Sequence, residues 1–127
     1  MRRLRILVVE DNAFISTLIE EVLADLGYDV CGIAGTELGA IEAAARLVPD
    51  IMIVDVGLPH GSGVSAMDTI LRLTDMPHIF MTGDYHRTVP ADATVLLKPF
   101  GIIGLTVALE SVVWQVAALE ESTHFRQ

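Results

Sequence analysis

"IMIVDVGLPHGSG", residues 51–63, decides the fold. Ile51 to Val54 form an unbroken apolar run that ends on a carboxylate, Asp55, and is followed by glycines and a proline. A strand with one wet face alternates apolar and polar residues, whereas an unbroken run suits a parallel strand covered on both faces. A charge at the end of such a strand needs a partner, because an unpaired buried charge is costly.

Outward from this strand the chain alternates strand and helix. Upstream, "LRILVV" (4–9) reads as the first strand, and a helix from about Ala13 to Leu26 carries Ile15, Leu18, Ile19, Val22, Leu23 and Leu26 at helical spacing before Gly27 stops it. "YDVCGIA" (28–34) is a second strand, and Thr36 suits the N-cap of an alanine-rich helix ended by Pro49. Downstream, Ser62 or Gly63 opens a helix to about Leu73, "HIFMT" (78–82) is a fourth strand and "TVLLK" (94–98) a fifth. A long helix from about Phe100 to Glu120 follows. This alternation predicts an α/β fold with a parallel sheet and helices on both faces.

The 127 residues are expected to form one domain, 1–127, with no effector domain. The chain is 52% hydrophobic, yet it holds no uninterrupted apolar stretch of the roughly 18–20 residues a membrane span needs. The basic start, "MRRLR", precedes too short an apolar run for a signal peptide. A net charge of −9, with no basic cluster beyond Arg2, Arg3 and Arg5, argues against nucleic-acid binding. The single cysteine, Cys31, excludes an internal disulfide and is expected to be a small buried apolar residue in a cytoplasmic protein.

In an open parallel sheet, ligands bind beyond the carboxyl ends of the strands. Those ends carry Glu10 and Asp11, Asp55, Thr82 and Lys98. A lone Asp after a strand is usually a turn former; four chemically matched strand ends are another matter. Two like charges about 4 Å apart repel by about 4 kcal/mol at an effective dielectric of about 20, so an acidic cluster calls for a cation. Carboxylates without His or Cys favour Mg2+, which shares its shell with phosphate oxygens. One carboxylate can then act as the nucleophile on a phosphoryl group, with Lys98 and Thr82 holding the phosphoryl oxygens. Asp55, on the central buried strand, is the natural nucleophile.

"VVEDN", "IVDVGLP", "MTG" and "LLKPF", in this order and at these strand ends, resemble the receiver domain of two-component response regulators over essentially the whole chain. The resemblance implies a doubly wound five-stranded parallel sheet of the flavodoxin-like, CheY-like kind, with order 2-1-3-4-5. It implies phosphorylation of Asp55 by a histidine kinase or phosphotransfer protein. Mg2+ would be held by Glu10, Asp11, Asp55 and the backbone carbonyl of Gly57, and Thr82 and Lys98 would meet the phosphate. It also implies a cis bond between Lys98 and Pro99, against a general prior of about 5%. Proline separately pushes Lys98 toward extended geometry.

Two departures stand out. The position three before the lysine, where receivers usually carry an aromatic switch, is Val95. The stretch from Thr82 to Lys98 is short and holds Pro90, so the helix between the fourth and fifth strands is expected to be short or absent. "FMTGDY" (80–85) partly matches the Phe-Ala-Thr-Gly-apolar-Tyr signature of a receiver subgroup paired with HWE and related (HisKA2) kinases, which makes Tyr85 the candidate replacement switch.

Output is expected through contact with a downstream protein, or the chain drains phosphate from a shared kinase. In the last helix, Ile102, Leu105, Leu109, Val112, Val113, Val116 and Leu119 form a core stripe. Ile103, Val107, Trp114 and Ala118 form a second one, which suits a kinase, a downstream partner or a homodimer, or tucks under the preceding loop. The glycines of "GSG" (61–63) read as loop geometry, since neither a Rossmann fingerprint nor a P-loop is present. The four histidines, His60, His78, His86 and His124, are too scattered for a metal site. Two alternatives compete: a receiver-like binding module that is never phosphorylated, and an aspartyl-phosphate hydrolase of the haloacid-dehalogenase type. The first would need a damaged pocket, and the second an Asp where Gly57 stands. The chain is therefore read as no enzyme beyond its own phosphorylation and dephosphorylation.

Overall fold

The computed structural model describes residues 2–84 and 89–125, and side chains up to residue 122. Five strands, β1 (Arg5–Val9), β2 (Asp29–Ala34), β3 (Ile51–Asp55), β4 (His78–Thr82) and β5 (Val95–Leu97), form one parallel sheet in the order β2-β1-β3-β4-β5. Among the described residues, α1 (Ala13–Asp25), α2 (Glu37–Leu47) and α3 (Gly63–Leu71) connect successive strands, and α4 (Ile102–Phe125) follows β5. The expected sheet order is observed, with element ends within a few residues of the sequence reading except at the C-terminus, where α4 runs on to Phe125.

Strand alternation sorts the core into two layers. Leu7, Val9, Met52, Val54 and Phe80 pack with the small Ala40, Ala43 and Ala44 of α2 and with Ala66, Met67 and Ile70 of α3. Ile6, Val8, Ile53, Ile79 and Met81 face Ile19 and Leu23 of α1 and Leu105, Leu109, Val112 and Val116 of α4. The five residues of β3 are all buried, as its unbroken apolar run requires. Replacing Ile53, wholly buried at its centre, with Ala is expected to cost about 2–5 kcal/mol.

Each of the first three helices starts on a side-chain cap. Asn12 Oδ1 accepts the Ile15 amide, Thr36 Oγ1 the Gly39 amide and Ser62 Oγ the Ser65 amide, each at 3.0 Å. At the C-terminal ends, Gly27 takes φ +96 after α1, but α2 ends on Val48 in the left-handed region at φ 48. Asp50, just beyond, accepts from Arg2 and from the Arg5 amide, fastening the N-terminus to the start of β3.

No helix joins β4 to β5 among the described residues, as the short connection and Pro90 suggest. The last helix departs from expectation at its first turn. Ile102, assigned to the core stripe, is 60% exposed and sits at the lip of a groove against α1, while burial starts at Leu105. Leu18 and Leu26 of the α1 stripe are also exposed. By length and composition alone, α4 could cross a membrane. Its residues Leu105, Leu109, Val112 and Val116 instead cover the sheet.

Candidate functional site

Strand order reverses at β1: the chain adds β2 on one side of it and then crosses back to add β3 on the other. This switch point opens a crevice at the carboxyl ends of β1 and β3. Glu10 and Asp11 directly follow β1, and Asp55 closes β3. Carboxylate oxygens of the three lie within 4.8 Å of one another, with Glu10 and Asp55 buried and Asp11 exposed at the mouth.

Lys98, one residue beyond β5, reaches across the crevice. Its Nζ donates to Glu10 Oε1 at 2.5 Å and to Asp55 Oδ2 at 3.0 Å. Backbone amides take the remaining oxygens: Gly57 N–H donates to Asp55 Oδ1 at 3.0 Å and Asn12 N–H to Glu10 Oε2 at 3.2 Å. The Lys98–Pro99 bond is cis, as the resemblance implied.

The electrostatics are those of an under-neutralised anion cluster. Burial pushes the Glu10 carboxyl above its usual range, Lys98 and the Asn12 amide oppose that, and Asp55 adds to it. Burial alone would lower the Lys98 ammonium, but its bonds to Glu10 and Asp55 outweigh this and hold it above its ordinary value. One lysine against three carboxylates leaves a net charge of about −2 when all are ionised, with hard oxygen donors only. That donor set fits a small divalent cation and no soft metal.

Of the residues singled out from sequence, the structure gathers Glu10, Asp11, Asp55 and Lys98 into one cluster and sets the Gly57 amide on Asp55. Thr82 ends β4 on the same edge, but its hydroxyl is engaged elsewhere. Its Oγ1 accepts the Asp84 amide at 3.1 Å and donates to the Asp84 carbonyl at 3.2 Å. Tyr85 and His86 lie outside the described residues. Val95, where an aromatic was absent, is 37% exposed. Ile103, Val107 and Trp114 are 81%, 59% and 64% exposed, so the second stripe of α4 is not tucked under any described segment. Cys31 is only half-buried, because β2 is an edge strand. Beside Lys98 an apolar groove of about 480 Å³ runs between α1 and the start of α4, lined by Ile15, Leu18, Phe100 and Ile102 among others.

Sequence reasoning missed two contributors. Asn12 both caps α1 and supplies the amide that holds Glu10; an Asn directly before the helical periodicity was the available signal. Glu37, at the start of α2, is bonded to the β3–α3 connection, and no local pattern announces that.

Comparison with known proteins agrees with this geometry. Residues 6–110 match the family model described as the response regulator receiver domain. The transcriptional regulatory protein PdtaR of Mycobacterium tuberculosis is 33% identical over 125 residues, which is 91% of this chain and 61% of PdtaR. A protein-glutamate methylesterase/protein-glutamine glutaminase of Rhizobium johnstonii is 38% identical over 102 residues, 79% of this chain and 29% of that protein. The chain thus spans less than two-thirds of either relative. Among solved structures, the response regulator PhyR from Brucella abortus superposes with a TM-score of 0.84 at 26% identity, covering 99% of this chain and 54% of PhyR. The receiver domain of PhyR from Erythrobacter litoralis gives 0.77 at 28% identity, covering 88% and 91%.

Proposed function

The chain belongs to the response regulator receiver domain family, and we propose that it accepts a phosphoryl group on Asp55 from a phosphohistidine donor. The observation that carries this reading is the cluster itself: a buried aspartate at the end of the central strand, two further carboxylates beside it and one lysine bonded across them. In the transfer, an Asp55 carboxylate oxygen bonds to phosphorus as the bond from phosphorus to the donor imidazole nitrogen breaks. The electron pair returns to the imidazole, which takes up a proton from water. Mg2+, held by Glu10, Asp11, Asp55 and the Gly57 carbonyl, would offset charge on the phosphoryl oxygens. Lys98 stands ready to exchange its carboxylate bond for one to phosphate, and Thr82 would leave Asp84 to hold another oxygen.

The donor is a histidine kinase or phosphotransfer protein; the residues 80–85 favour the HWE class. The apolar groove beside Lys98 is a suitable seat for its surface. Output passes through protein contact, with the exposed Ile103, Val107 and Trp114 as the contact stripe for a downstream partner or a second copy. These assignments describe a cytoplasmic signalling protein that catalyses nothing beyond gain and loss of its own phosphate.

Incubation with acetyl phosphate and Mg2+, followed by intact-mass measurement, tests the central claim. One added phosphoryl group is expected on the wild type and none on Asp55→Asn or in EDTA. An unmodified wild type, or an equally modified Asp55→Asn, overturns the assignment. Self-association with and without beryllofluoride, repeated with Trp114→Ala, tests the stripe as a homodimer contact.

A further inference from the structure

The connection between β3 and α3, residues 56–62, leaves Asp55 and carries Gly57. Its inner part is well fixed. The Val56 amide donates to the Met81 carbonyl at 2.9 Å, Val56 and Leu58 are buried, and the Gly63 amide closes back on the Val56 carbonyl at 3.1 Å. Its outer part is not: Pro59, His60 and Gly61 are exposed and contribute nothing to the core.

What holds that outer part is one residue of another helix. The Glu37 amide donates to the His60 carbonyl at 3.3 Å. Glu37 Oε1 accepts the Ser62 amide at 2.9 Å and Oε2 accepts the Ser65 hydroxyl at 2.8 Å. Gly61 lies directly against this carboxylate. It adopts φ +85, and a Cβ there would collide with Glu37 Oε1 and stand 2.7 Å from Glu37 Cβ. The next glycine completes the linkage. A Cβ on Gly63, the first residue of α3, would collide with the Asp55 carbonyl oxygen and stand 2.7 Å from Val54 Cγ1. The three residues of "GSG" therefore have separate jobs: Gly61 admits Glu37, Ser62 bonds it and caps α3, and Gly63 seats α3 on the backbone of Asp55.

We propose that Glu37 is a positioning residue for the phosphorylation site, clasping the outer turn of the 56–62 connection so that the loop carrying Gly57 is already ordered along its whole length when the divalent cation binds. The inference rests on the reading that Asp55 is phosphorylated with Mg2+. A loop that must be ordered on binding charges its conformational entropy to affinity. A loop clasped beforehand does not. The hydrogen bonds from Ser62 and Ser65 also hold the Glu37 carboxyl below its usual range, as expected of a carboxylate that accepts from both.

The test compares Glu37→Ala, Glu37→Gln and Ser65→Ala with the wild type by Mg2+ titration calorimetry, amide hydrogen exchange without metal, and acetyl phosphate kinetics at varied Mg2+. Glu37→Ala is expected to weaken Mg2+ about tenfold, the low end for groups that orient metal ligands. Its phosphorylation rate at saturating Mg2+ should stay within about twofold, since the loss is in affinity and not in the transfer step. The amides of Gly57, Leu58 and residues 60–62 should exchange faster while those of β3 do not. Glu37→Gln keeps an oxygen for Ser62 and should retain most of the wild-type affinity. Unchanged Mg2+ affinity and unchanged exchange at 57–62 in Glu37→Ala overturn the proposal. Should Glu37→Ala fail to fold, Ser65→Ala decides on the same readouts, with a smaller weakening expected and no change overturning it. A wild type without Mg2+-dependent phosphorylation refutes the parent reading instead, which keeps the two failures apart.

Discussion

Lys98 Nζ stands 3.0 Å from Asp55 Oδ2 while also bonding Glu10, so a single ammonium bridges two buried carboxylates at the ends of neighbouring strands and offsets part of their charge. Removing one partner of a buried ion pair costs about 3–5 kcal/mol, and the partial exposure of Lys98, 21%, brings this to about 2–3 kcal/mol. Lys98→Ala should therefore be less stable by that amount in urea unfolding with EDTA. The gap should narrow when Mg2+ is added, because a bound cation takes over the neutralisation. Equal stability of the two proteins in EDTA would contradict the role given to the lysine.

The Thr82 hydroxyl is committed to both backbone groups of Asp84. Under the proposed function, a phosphoryl group on Asp55 would compete for this hydroxyl and so release the Asp84 amide. With beryllofluoride and Mg2+, the Asp84 amide resonance is expected to move in the wild type and to stay in place in Thr82→Val. Without ligand, loss of this one hydrogen bond, about 0.5–1.5 kcal/mol, should speed exchange of the Asp84 amide in Thr82→Val about two- to tenfold.

Asp50 responds to acid. Burial alone would raise its pKa, but hydrogen bonds from Arg2 and from the Arg5 amide, with the charges of both arginines, hold it below the usual range. A depressed acid contributes stability that is fully present above its unfolded value of about 3.9 and is lost as pH falls through the native value. Asp50→Asn should cost about 1.5–3 kcal/mol at pH 7, the range for hydrogen bonds to charged groups. Urea unfolding at a series of pH values should show that cost shrinking below about pH 4.

Val48 holds a conformation that β-branched residues avoid. It is 68% exposed, so little packing opposes its replacement. Left-handed geometry costs an L-residue about 1–2 kcal/mol, and glycine returns about 0.5–1 of that as unfolded-state entropy. Val48→Gly should raise stability by about 0.5–1 kcal/mol and the melting temperature by about 2–5 °C. A lower melting temperature would mean that the side chain packs more than its exposure indicates.

Much of this architecture is written locally. The apolar run of β3 needs cover on both faces, and Asn12, Thr36 and Ser62 mark the three capped helix starts. Glu10, Asp11, Asp55 and Lys98 could be grouped because a parallel sheet brings its strand ends to one side whatever the loops do. The rest depends on tertiary relations that no window of sequence contains. Glu37 and Ser62 are 25 positions apart, and their contact follows from how α2 and α3 lie side by side. Ile102 fits the helical phase of the core stripe, but its turn stands against α1 at a groove and not over the sheet. Val48 carries no glycine to announce its backbone, and a hydroxyl at a strand end, such as that of Thr82, gives no hint of which way it turns.

The fifth strand has only three residues and forms one rim of the sheet. So few free amides give a foreign chain little to align against. At the opposite rim β2 slips register beside Ile6 and Leu7 and starts on the exposed Asp29, which breaks the flat template that fibril growth requires. A chain this rich in apolar residues is thereby guarded at both margins against stacking into insoluble ribbons when crowded.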